Sequence, residues 1–508
     1  MLLPSRSHLD FQRFVEEQIK IHYLKTEHLH IALQYQRELA AVWCTDLTRV
    51  ASIVGHRYSS ERGRPALDPV DMFRSLILME LSRVYSIDKW VHFLKAHPLH
   101  AILSGFLPSQ IPGVATFYDF LSRLWLAASS RLSKQLRKSR RKPKRAKKKG
   151  DKSPLKRPGI VARLVKRFLA NPPSFHSRPH DLFQQIFKVC FVLPSAQKGL
   201  LGDVERMALA GDGTPLRTGA SPYGKRVCSC REQGIYSCSC FRRFTDPDAD
   251  WGWDSYREEF FFGRSLYAFT AADSPHDLPI YLHLNKASRH DSVLLVHSFF
   301  DFLQQYPEFS VSECVLDSAH DAYAIYELLE HHHVSAVIDL NKRAAGVVKS
   351  DRCQDISFDN VGTPICPAGY QMAYNGFDKS RQRHKWRCPL CKKRNPVSCD
   401  RSCSPSEYGR VVYTYELDNL RLFTRIPRSS LLWKLRYKRR TAAERFNKRL
   451  KIDYSVDSIS PARTSRDWTF RVFTTAMCLH IDAWVAQANL DVHGLLLSWK
   501  QDMESLVA

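Results

Sequence analysis

The order of apolar segments between residues 207 and 338 constrains the fold of this chain more than any other feature of its sequence. Each segment is short and is bounded by turn residues, which is typical of strands and helices in a packed α/β domain. In chain order we predict strand Met207–Ala210, strand Leu266–Thr270, strand Pro279–His283, a helix at 292–305, strand Cys314–Leu316, helix Tyr323–Glu330 and strand Val334–Ile338. This order predicts a mixed sheet with helices packed on its faces.

The same order is the one expected of a ribonuclease-H-like domain, so we predict an α/β fold of that class. A chain of 508 residues is long enough for several domains. We divide it into a helical N-terminal domain, a basic linker, the first part of the α/β domain, a cysteine-rich insertion, the second part of the α/β domain and a tail. The corresponding ranges are 1–130, 131–170, 195–350, 351–412, 413–490 and 491–508.

The N-terminal domain has helical periodicity with short, closely spaced segments. Asp68 can cap one helix, because its carboxylate accepts from free backbone N–H groups, and Pro69 fits the first turn. Such helices suit a DNA-reading domain of the helix-turn-helix type. An ordinary helical domain explains the same periodicity.

The charge of the chain points to a polyanionic partner. Lys and Arg number 76 against 51 Asp and Glu, which gives a net charge of +25. Residues 131–157 hold 15 of the cations and one acid, with the densest run at Arg137–Gly150. We predict a flexible linker that binds DNA phosphates, although a solvated charge run without that role has the same composition.

No secretory signal or membrane-spanning apolar stretch is evident, so we expect an intracellular protein without a membrane partner.

Two carboxylates stand out by their position next to predicted strands. Asp212 follows the first strand in the Gly-flanked segment Gly211–Thr214, and Asp317 follows the strand Cys314–Leu316. Carboxylates at neighbouring strand ends can share divalent metal ions without leaving an unpaired charge. Asp321 is the rival of Asp317, and we prefer Asp317 because it directly ends its strand.

A third acidic residue lies in a predicted helix at 437–451, which contains no Gly or Pro. Successive residues of a helix are about 100° apart around its axis, and on this basis one glutamate and three side chains that can bind phosphate fall within a sector of about 60°. These residues are Tyr437, Arg440, Glu444 and Lys451, with Lys448 beside them. The arrangement suits a metal-binding Glu next to DNA, but an ion-paired surface helix would show the same pattern.

The spacing Tyr437-x2-Arg440-x3-Glu444-x6-Lys451 resembles the signature of a large family of bacterial insertion-sequence transposases of the DDE type. Asp212-Gly213-Thr214 is similar to the turn that carries the family's first Asp, and Val315–Asp321 resembles the segment of its second. Gly63–Pro69 and the helices after it look like the family's N-terminal domain. The resemblance also implies a ribonuclease-H-like fold with a β-rich insertion before the Glu.

Carried over residue by residue, the resemblance implies that Asp212, Asp317 and Glu444 are catalytic and bind two Mg²⁺ ions. Tyr437, Arg440, Lys448 and Lys451 would then contact DNA phosphates. The implied partners are double-stranded DNA, namely the inverted repeats at the element ends and a target, and further copies of the chain in a dimer or higher multimer. The implied location is the bacterial cytoplasm, in association with the nucleoid.

Two groups of cysteines could hold structural Zn²⁺. One group lies in the predicted insertion and consists of Cys366, Cys388, Cys391, Cys399 and Cys403. The second follows Asp212 and consists of Cys228, Cys230, Cys238 and Cys240. Thiolates at these spacings can form closed zinc sites, which leave no open position for chemistry. Free structural thiols remain the alternative for both groups.

Two other functions fit parts of this sequence. A nuclease or resolvase of the same fold would use the same carboxylates and metals but would not join DNA ends. A zinc-stabilised DNA-binding regulator would keep the basic and cysteine-rich segments and would tolerate loss of the acidic residues. Detection of joined DNA products would distinguish a transposase from a nuclease or resolvase. The effect of Asp317→Ala on activity would distinguish a transposase, which needs this residue, from a DNA-binding regulator, which does not.

Overall fold

The structure is a computed structural model. It describes residues 2, 4–24, 28–59, 65–126, 158–175, 178–341, 355–390, 399, 403–456 and 462–505, and the backbone of two short strands, Leu132–Ser133 and Val348–Lys349. The predicted linker's densest basic run, Arg137–Gly150, lies outside the described residues.

The N-terminal region is helical, as predicted. Its helices are α1 (His8–Ile19), α2 (Leu29–Gln34), α3 (Gln36–Trp43), α4 (Arg49–Val54), α5 (Pro69–Leu81), α6 (Ile87–Ala96), α7 (Pro98–Ser104) and α8 (Val114–Leu124). The Asp68 side chain accepts from the backbone N–H of Val70, so it caps α5 as the sequence predicts. Every residue of α5 is buried, which makes this helix the centre of the domain.

A buried polar contact joins α5 to helix α16 (Ser465–Ala488), near the end of the chain. Thr475 Oγ1 donates to Glu80 Oε1 at 2.9 Å, and Arg471 Nε lies 3.5 Å from the same oxygen. Burial raises the pKa of Glu80 to about 7, against the opposing charge of Arg471. Because an unpaired partner would be costly at this depth, the contact fixes how the N-terminal helices sit on the rest of the protein.

Part of the predicted linker is folded. Helix α9 (Ile160–Ala170) buries Leu164, Val165 and Phe168, and the Phe168 ring lies 5.3 Å from that of Phe300. The assignment of 131–170 as linker is therefore wrong for its last eleven residues, because their apolar face packs on the α/β domain. Helices α10 (Asp181–Phe187) and α11 (Leu193–Gln197) follow.

The central sheet is mixed, which confirms the predicted α/β class. Its strands are β2 (Met207–Arg217), β5 (Asp250–Asp254), β6 (Glu259–Ala271), β7 (Pro279–Lys286), β8 (Val311–Leu316) and β9 (Ser335–Ile338). They are ordered β5-β6-β2-β8-β9, with β7 also paired to β6. The neighbours β2, β8 and β9 run parallel, and β6 runs antiparallel to β2, β5 and β7. Helix α12 (Asp291–Gln305) leads from β7 to β8, and helix α13 (Tyr323–His331) connects the parallel neighbours β8 and β9, which need such a crossover.

One face of this sheet carries two short helices, α14 (Leu431–Lys438) and α15 (Thr441–Lys448). Trp433 of α14 packs on Val315 of β8 and Val337 of β9. Alanines of α15 pack on alanines of β2. The opposite side of β2, with Met207 and Leu209, belongs to the main hydrophobic core. Since side chains alternate along a strand, Ala208, Ala210 and the side chain at 212 share the face that α15 covers.

The predicted insertion is rich in β-structure and has a small core of its own. Strand β10 (Val348–Lys349) comes just before its predicted start at 351. The strands β11 (Ser357–Phe358), β12 (Pro364–Ile365), β13 (Ala373–Asp378), β14 (Arg383–Arg387) and β15 (Val411–Tyr415) follow, and β15 extends past the predicted end at 412. Ile356, Met372 and Trp386 are among its buried residues.

The segment predicted as a tail forms helix α17 (Val492–Ser505). Trp499 of this helix packs against Trp43 at 5.3 Å between ring centroids.

A separate small sheet, in the order β1-β4-β3, consists of β1 (Leu132–Ser133), β3 (Lys225–Arg226) and β4 (Arg242–Arg243). Among the described residues, no helix is both long and apolar enough to cross a membrane.

Candidate catalytic site

Asp212 lies within a strand, not in a turn after it. Strand β2 continues to Arg217, and Asp212 is paired with Ala268 of β6. The parallel pairing of β2 with β8 ends at Gly211 and Leu316. The sequence prediction of a turn is therefore wrong, because β6 keeps β2 extended beyond the end of β8. Asp212 and Asp317 are nonetheless the residues directly after the last parallel pair, so strand register places them side by side.

A third carboxylate, Asp291 at the start of α12, joins these two. A Cβ on Gly213 would lie only 2.0 Å from Asp291 Oδ1, so only glycine permits this approach. Burial, together with the negative charges of Asp291 and Asp317, raises the pKa of Asp212 to about 7. In the structure His290 is the N-cap, and Asp291 belongs to the carboxylate cluster.

His320 holds Asp317 in place. Its Nδ1 lies 2.6 Å from Asp317 Oδ1, and its Nε2 lies 3.1 Å from the hydroxyl of the buried Tyr267. Burial by itself lowers the pKa of His320, but the hydrogen bond to Asp317 and the nearby carboxylates raise it above the ordinary value. The same contact holds the pKa of Asp317 below its ordinary value despite burial. Asp317 is therefore ionised and fixed in orientation.

Asp321, the rival for the second aspartate, is fully engaged in other bonds. Its side chain has 0% exposure. The Arg421 guanidinium donates to both of its oxygens, at 2.8 and 2.6 Å. Tyr326 Oη and the backbone N–H of Asn341 also donate to it. These bonds make Asp321 a structural residue and support the choice of Asp317.

Small side chains bring α15 close to the two aspartates. Ala442 and Ala443 of α15 pack on Ala208 and Ala210 of β2, and all four are buried. This close approach lets Asn447 Nδ2 donate to Asp212 Oδ2 at 2.9 Å. The sequence analysis did not single out Asn447. Its position three residues after Glu444, on a neighbouring part of the helix surface, was the available signal.

Two ion pairs fasten α15 and the link before it to the turn between β6 and β7. In the link, Arg439 Nη1 lies 2.9 Å from both oxygens of Asp273, and in α15 the Arg445 guanidinium binds both oxygens of Asp277 at 2.6 Å. Asp273 and Asp277 therefore anchor the segment that carries Glu444.

Glu444 lies at the edge of the site rather than within the carboxylate cluster. Its side chain is 48% exposed, and its Oε1 forms an ion pair with Arg440 Nη1 at 2.8 Å. The Arg440 guanidinium also lies 5.5 Å from the Tyr437 ring centroid, and that ring stacks on Trp433. Although burial lowers the pKa of Arg440, the charges of Tyr437, Glu444 and Asp212 raise it. Arg440 therefore forms an ion pair with Glu444 and also interacts electrostatically with Asp212.

The predicted single helix at 437–451 is divided in the structure. Helix α14 ends at Lys438, α15 begins at Thr441, and a π-helical turn covers Arg449–Asp453. A constant angle of about 100° per residue therefore does not apply over the whole segment. Lys448 is exposed at the end of α15, and Lys451 is partly buried in the π-helical turn.

The two cysteine groups differ in how far the structure describes them. In the insertion, Cys391 lies outside the described residues. Burial raises the pKa of Cys388, and nearby Cys403, Cys366 and Cys399 add to that effect, so these four lie in one neighbourhood. In the group after Asp212, the four thiols Cys228, Cys230, Cys238 and Cys240 form one compact cluster.

Comparison with known protein families agrees with this architecture. Residues 34–123 match the family model described as "Transposase domain (DUF772)". Residues 205–481 match the family model described as "Transposase DDE domain", which spans the central sheet, the insertion and α14–α15. No curated protein matches the chain. Since the second model covers more than half of the 508 residues, the chain belongs to the DDE transposase family and is a DNA transposase.

Proposed function

We propose that this transposase cuts DNA at the ends of an insertion sequence and joins the cut ends to a target, using divalent metal ions held by Asp212, Asp317 and Glu444. The observation that carries the proposal is the placement of Asp212 and Asp317 directly after the last parallel pair of β2 and β8. We further propose that the mixed sheet with its flanking helices is a ribonuclease-H-like catalytic domain.

The donor set fits Mg²⁺. Asp212, Asp317 and Asp291 offer only carboxylate oxygens, which hard cations prefer. Burial and the nearby negative charges of Asp291 and Asp317 raise the pKa of Asp212, and a divalent cation would offset both effects. Asn447 Oδ1 is buried and accepts no hydrogen bond from the described residues, so it is a further oxygen at the site. We infer two Mg²⁺ ions. When bound, they would lower the pKa of the attacking water or 3′-hydroxyl and stabilise the leaving oxygen.

The residues around the metals have separate tasks. His320 keeps Asp317 ionised and fixes its rotamer, and the Asn447 amide holds Asp212 in orientation by donating to its Oδ2. Arg440 is placed to bind the phosphate at the cut, supported by the Tyr437 ring. Lys448 and Lys451 follow on the same segment and would bind neighbouring phosphates.

Glu444 connects DNA binding to metal binding. In the structure its carboxylate is paired with Arg440. A DNA phosphate on Arg440 would compete for that guanidinium and release Glu444 toward the aspartates. The third ligand would then be complete only when DNA is present, which would limit cutting to bound DNA.

The rest of the chain supplies binding to long DNA. The net charge of +25 favours a polyanion. We propose that the N-terminal helices read the element ends, that the basic segment follows the DNA backbone, and that two or more copies assemble on paired ends.

Cleavage of a labelled duplex that carries the element's own end sequence tests the proposal. Wild type should nick the boundary with Mg²⁺ and not with EDTA, and Glu444→Gln should bind without cutting. Glu327→Gln, an exposed glutamate on α13, is the matched control and should cut like wild type.

A second DNA in the same reaction tests joining. Joined products indicate a transposase that completes strand transfer, whereas nicking alone indicates a nuclease of the same fold. DNA binding with no cutting in Mg²⁺ or Mn²⁺ would contradict the proposal and favour a DNA-binding regulator.

A further inference from the structure

The segment from β3 to β4, residues 225–243, lacks a hydrophobic core of its own. None of its side chains is buried, and Val227, Ile235, Tyr236 and Phe241 are exposed. It carries five cations and one acid, Glu232, so its charges repel one another. A unit this small with no buried apolar side chain needs a covalent or metal cross-link to hold one conformation.

The four thiols of this segment lie where such a cross-link would be. The Sγ atoms of Cys228, Cys230, Cys238 and Cys240 are all within 4.8 Å of one another. Cys228 Sγ lies 3.6 Å from Cys238 Sγ, and Cys230 Sγ lies 3.6 Å from Cys240 Sγ. Zinc–sulfur bonds of about 2.3 Å in a tetrahedron imply a separation of about 3.8 Å between sulfurs. Both of these sulfur–sulfur distances of 3.6 Å are close to that separation.

The local backbone supports four converging thiols. Each Cys-x-Cys pair adjoins one of the two strands, and a tight turn joins the pairs. Ile235 N–H donates to Cys230 O at 2.8 Å, and Gly234 has a φ of +77°, which favours glycine.

We propose that Cys228, Cys230, Cys238 and Cys240 bind one Zn²⁺ ion as a structural site that holds the hairpin of residues 225–243. Binding converts four thiols to thiolates and releases their protons to solvent. The complete site carries a net charge of −2, which the surrounding cations Lys225, Arg226, Arg231, Arg242 and Arg243 offset. All four positions around the metal are protein sulfurs, so the site is separate from the carboxylate chemistry.

Metal content of the full chain tests the proposal. Each protein is reconstituted with excess Zn²⁺, dialysed and measured for zinc per chain. Cys238→Ser/Cys240→Ser should hold one zinc fewer than wild type, as long as circular dichroism shows the same helix content. The matched control Cys388→Ser/Cys403→Ser alters the insertion group and should keep the zinc at the hairpin.

Two further measurements guard against misfolding and disulfides. Cys240→His should retain the metal, and its Co²⁺ spectrum should shift from that of four sulfur ligands to that of three sulfurs and one nitrogen. Trypsin should cut after Arg231 about tenfold faster once the zinc is chelated. Equal zinc in wild type and Cys238→Ser/Cys240→Ser would overturn the proposal, and so would thiols that resist alkylation in unreduced, denatured protein.

Discussion

The two halves of the candidate site are held by different forces. Asp212 and Asp317 directly follow paired strand residues whose register fixes their separation; Asp212 is largely withdrawn from solvent, and Asp317, whose side chain is 35% exposed, is held by the buried His320. Glu444 is half exposed on a helix of eight residues, which alanine contacts and surface ion pairs attach to the sheet. The aspartate half is therefore preset before DNA arrives, whereas the glutamate half can adjust. The four predictions below test this contrast, from the largest expected effect to the smallest.

Removing one charge from either half should abolish cutting. Asp317→Asn and Glu444→Gln should each reduce Mg²⁺-dependent cleavage by about 1000-fold or more, because each removes a ligand needed for the transition state. Single-turnover cleavage of a labelled end duplex measures the effect. DNA affinity should stay within about threefold of wild type, and cutting at more than a tenth of the wild-type rate would remove that residue from the site.

Asp321→Asn should have the opposite profile to Asp317→Asn. It removes the charge of the fully buried Asp321 side chain, which the partly buried Arg421 guanidinium binds through both oxygens, so we expect a loss of about 3 kcal/mol in the free energy of unfolding. Urea denaturation measures this. Activity per folded molecule should remain near that of wild type. If Asp321→Asn were stable but inactive, the assignment of the second aspartate would move from Asp317 to Asp321.

Ala443→Leu should separate the two halves physically. Ala443 is 1% exposed in the alanine contact between α15 and β2, so extra volume costs about 1 to 3 kcal/mol and pushes the helix from the sheet. Cleavage should fall by about tenfold to a hundredfold because Glu444 and Asn447 move from the aspartates. Leu435→Ala, an exposed position on α14, is the control. Unchanged cleavage in Ala443→Leu would show that helix position does not matter.

Without metal, only the aspartate half should affect stability. The folded-state pKa of Asp212 is raised to about 7 from 3.8, so wild type loses stability as pH rises between these values. The variant Asp212→Asn has no carboxyl group at this position, so its stability lacks this dependence on pH. In EDTA it should be more stable than wild type by about 1 to 2 kcal/mol above pH 7, with the advantage shrinking toward pH 4. Glu444→Gln should change stability by less than about 0.5 kcal/mol, because its ion pair is exposed. Thermal melts at several pH values measure both effects. If the stability of the two variants changed with pH in the same way, the proposed difference between the aspartate half and the glutamate half would be wrong.

The sequence by itself determined the order of strands and helices in the central sheet. Local periodicity and turn residues specify such elements, so the mixed sheet and the capped start of α5 at Asp68 could be predicted. The β-rich insertion was expected only from the family resemblance. It also pointed to Asp212 and Asp317 as a pair, because parallel strands end at one edge of a sheet. The charge of +25 indicated the polyanionic partner.

Only the tertiary structure decided the contacts between distant segments. Asp291 and Asn447 reach Asp212 through a missing Cβ at Gly213 and through alanines on α15, and neither cause can be read from a local pattern. The same holds for β2 beyond Asp212, which stays extended because β6 pairs with it. The break between α14 and α15 also has a tertiary setting, since α14 packs on β8 and β9 and α15 packs on β2. Periodicity records what one segment prefers, whereas these features depend on which partner it meets.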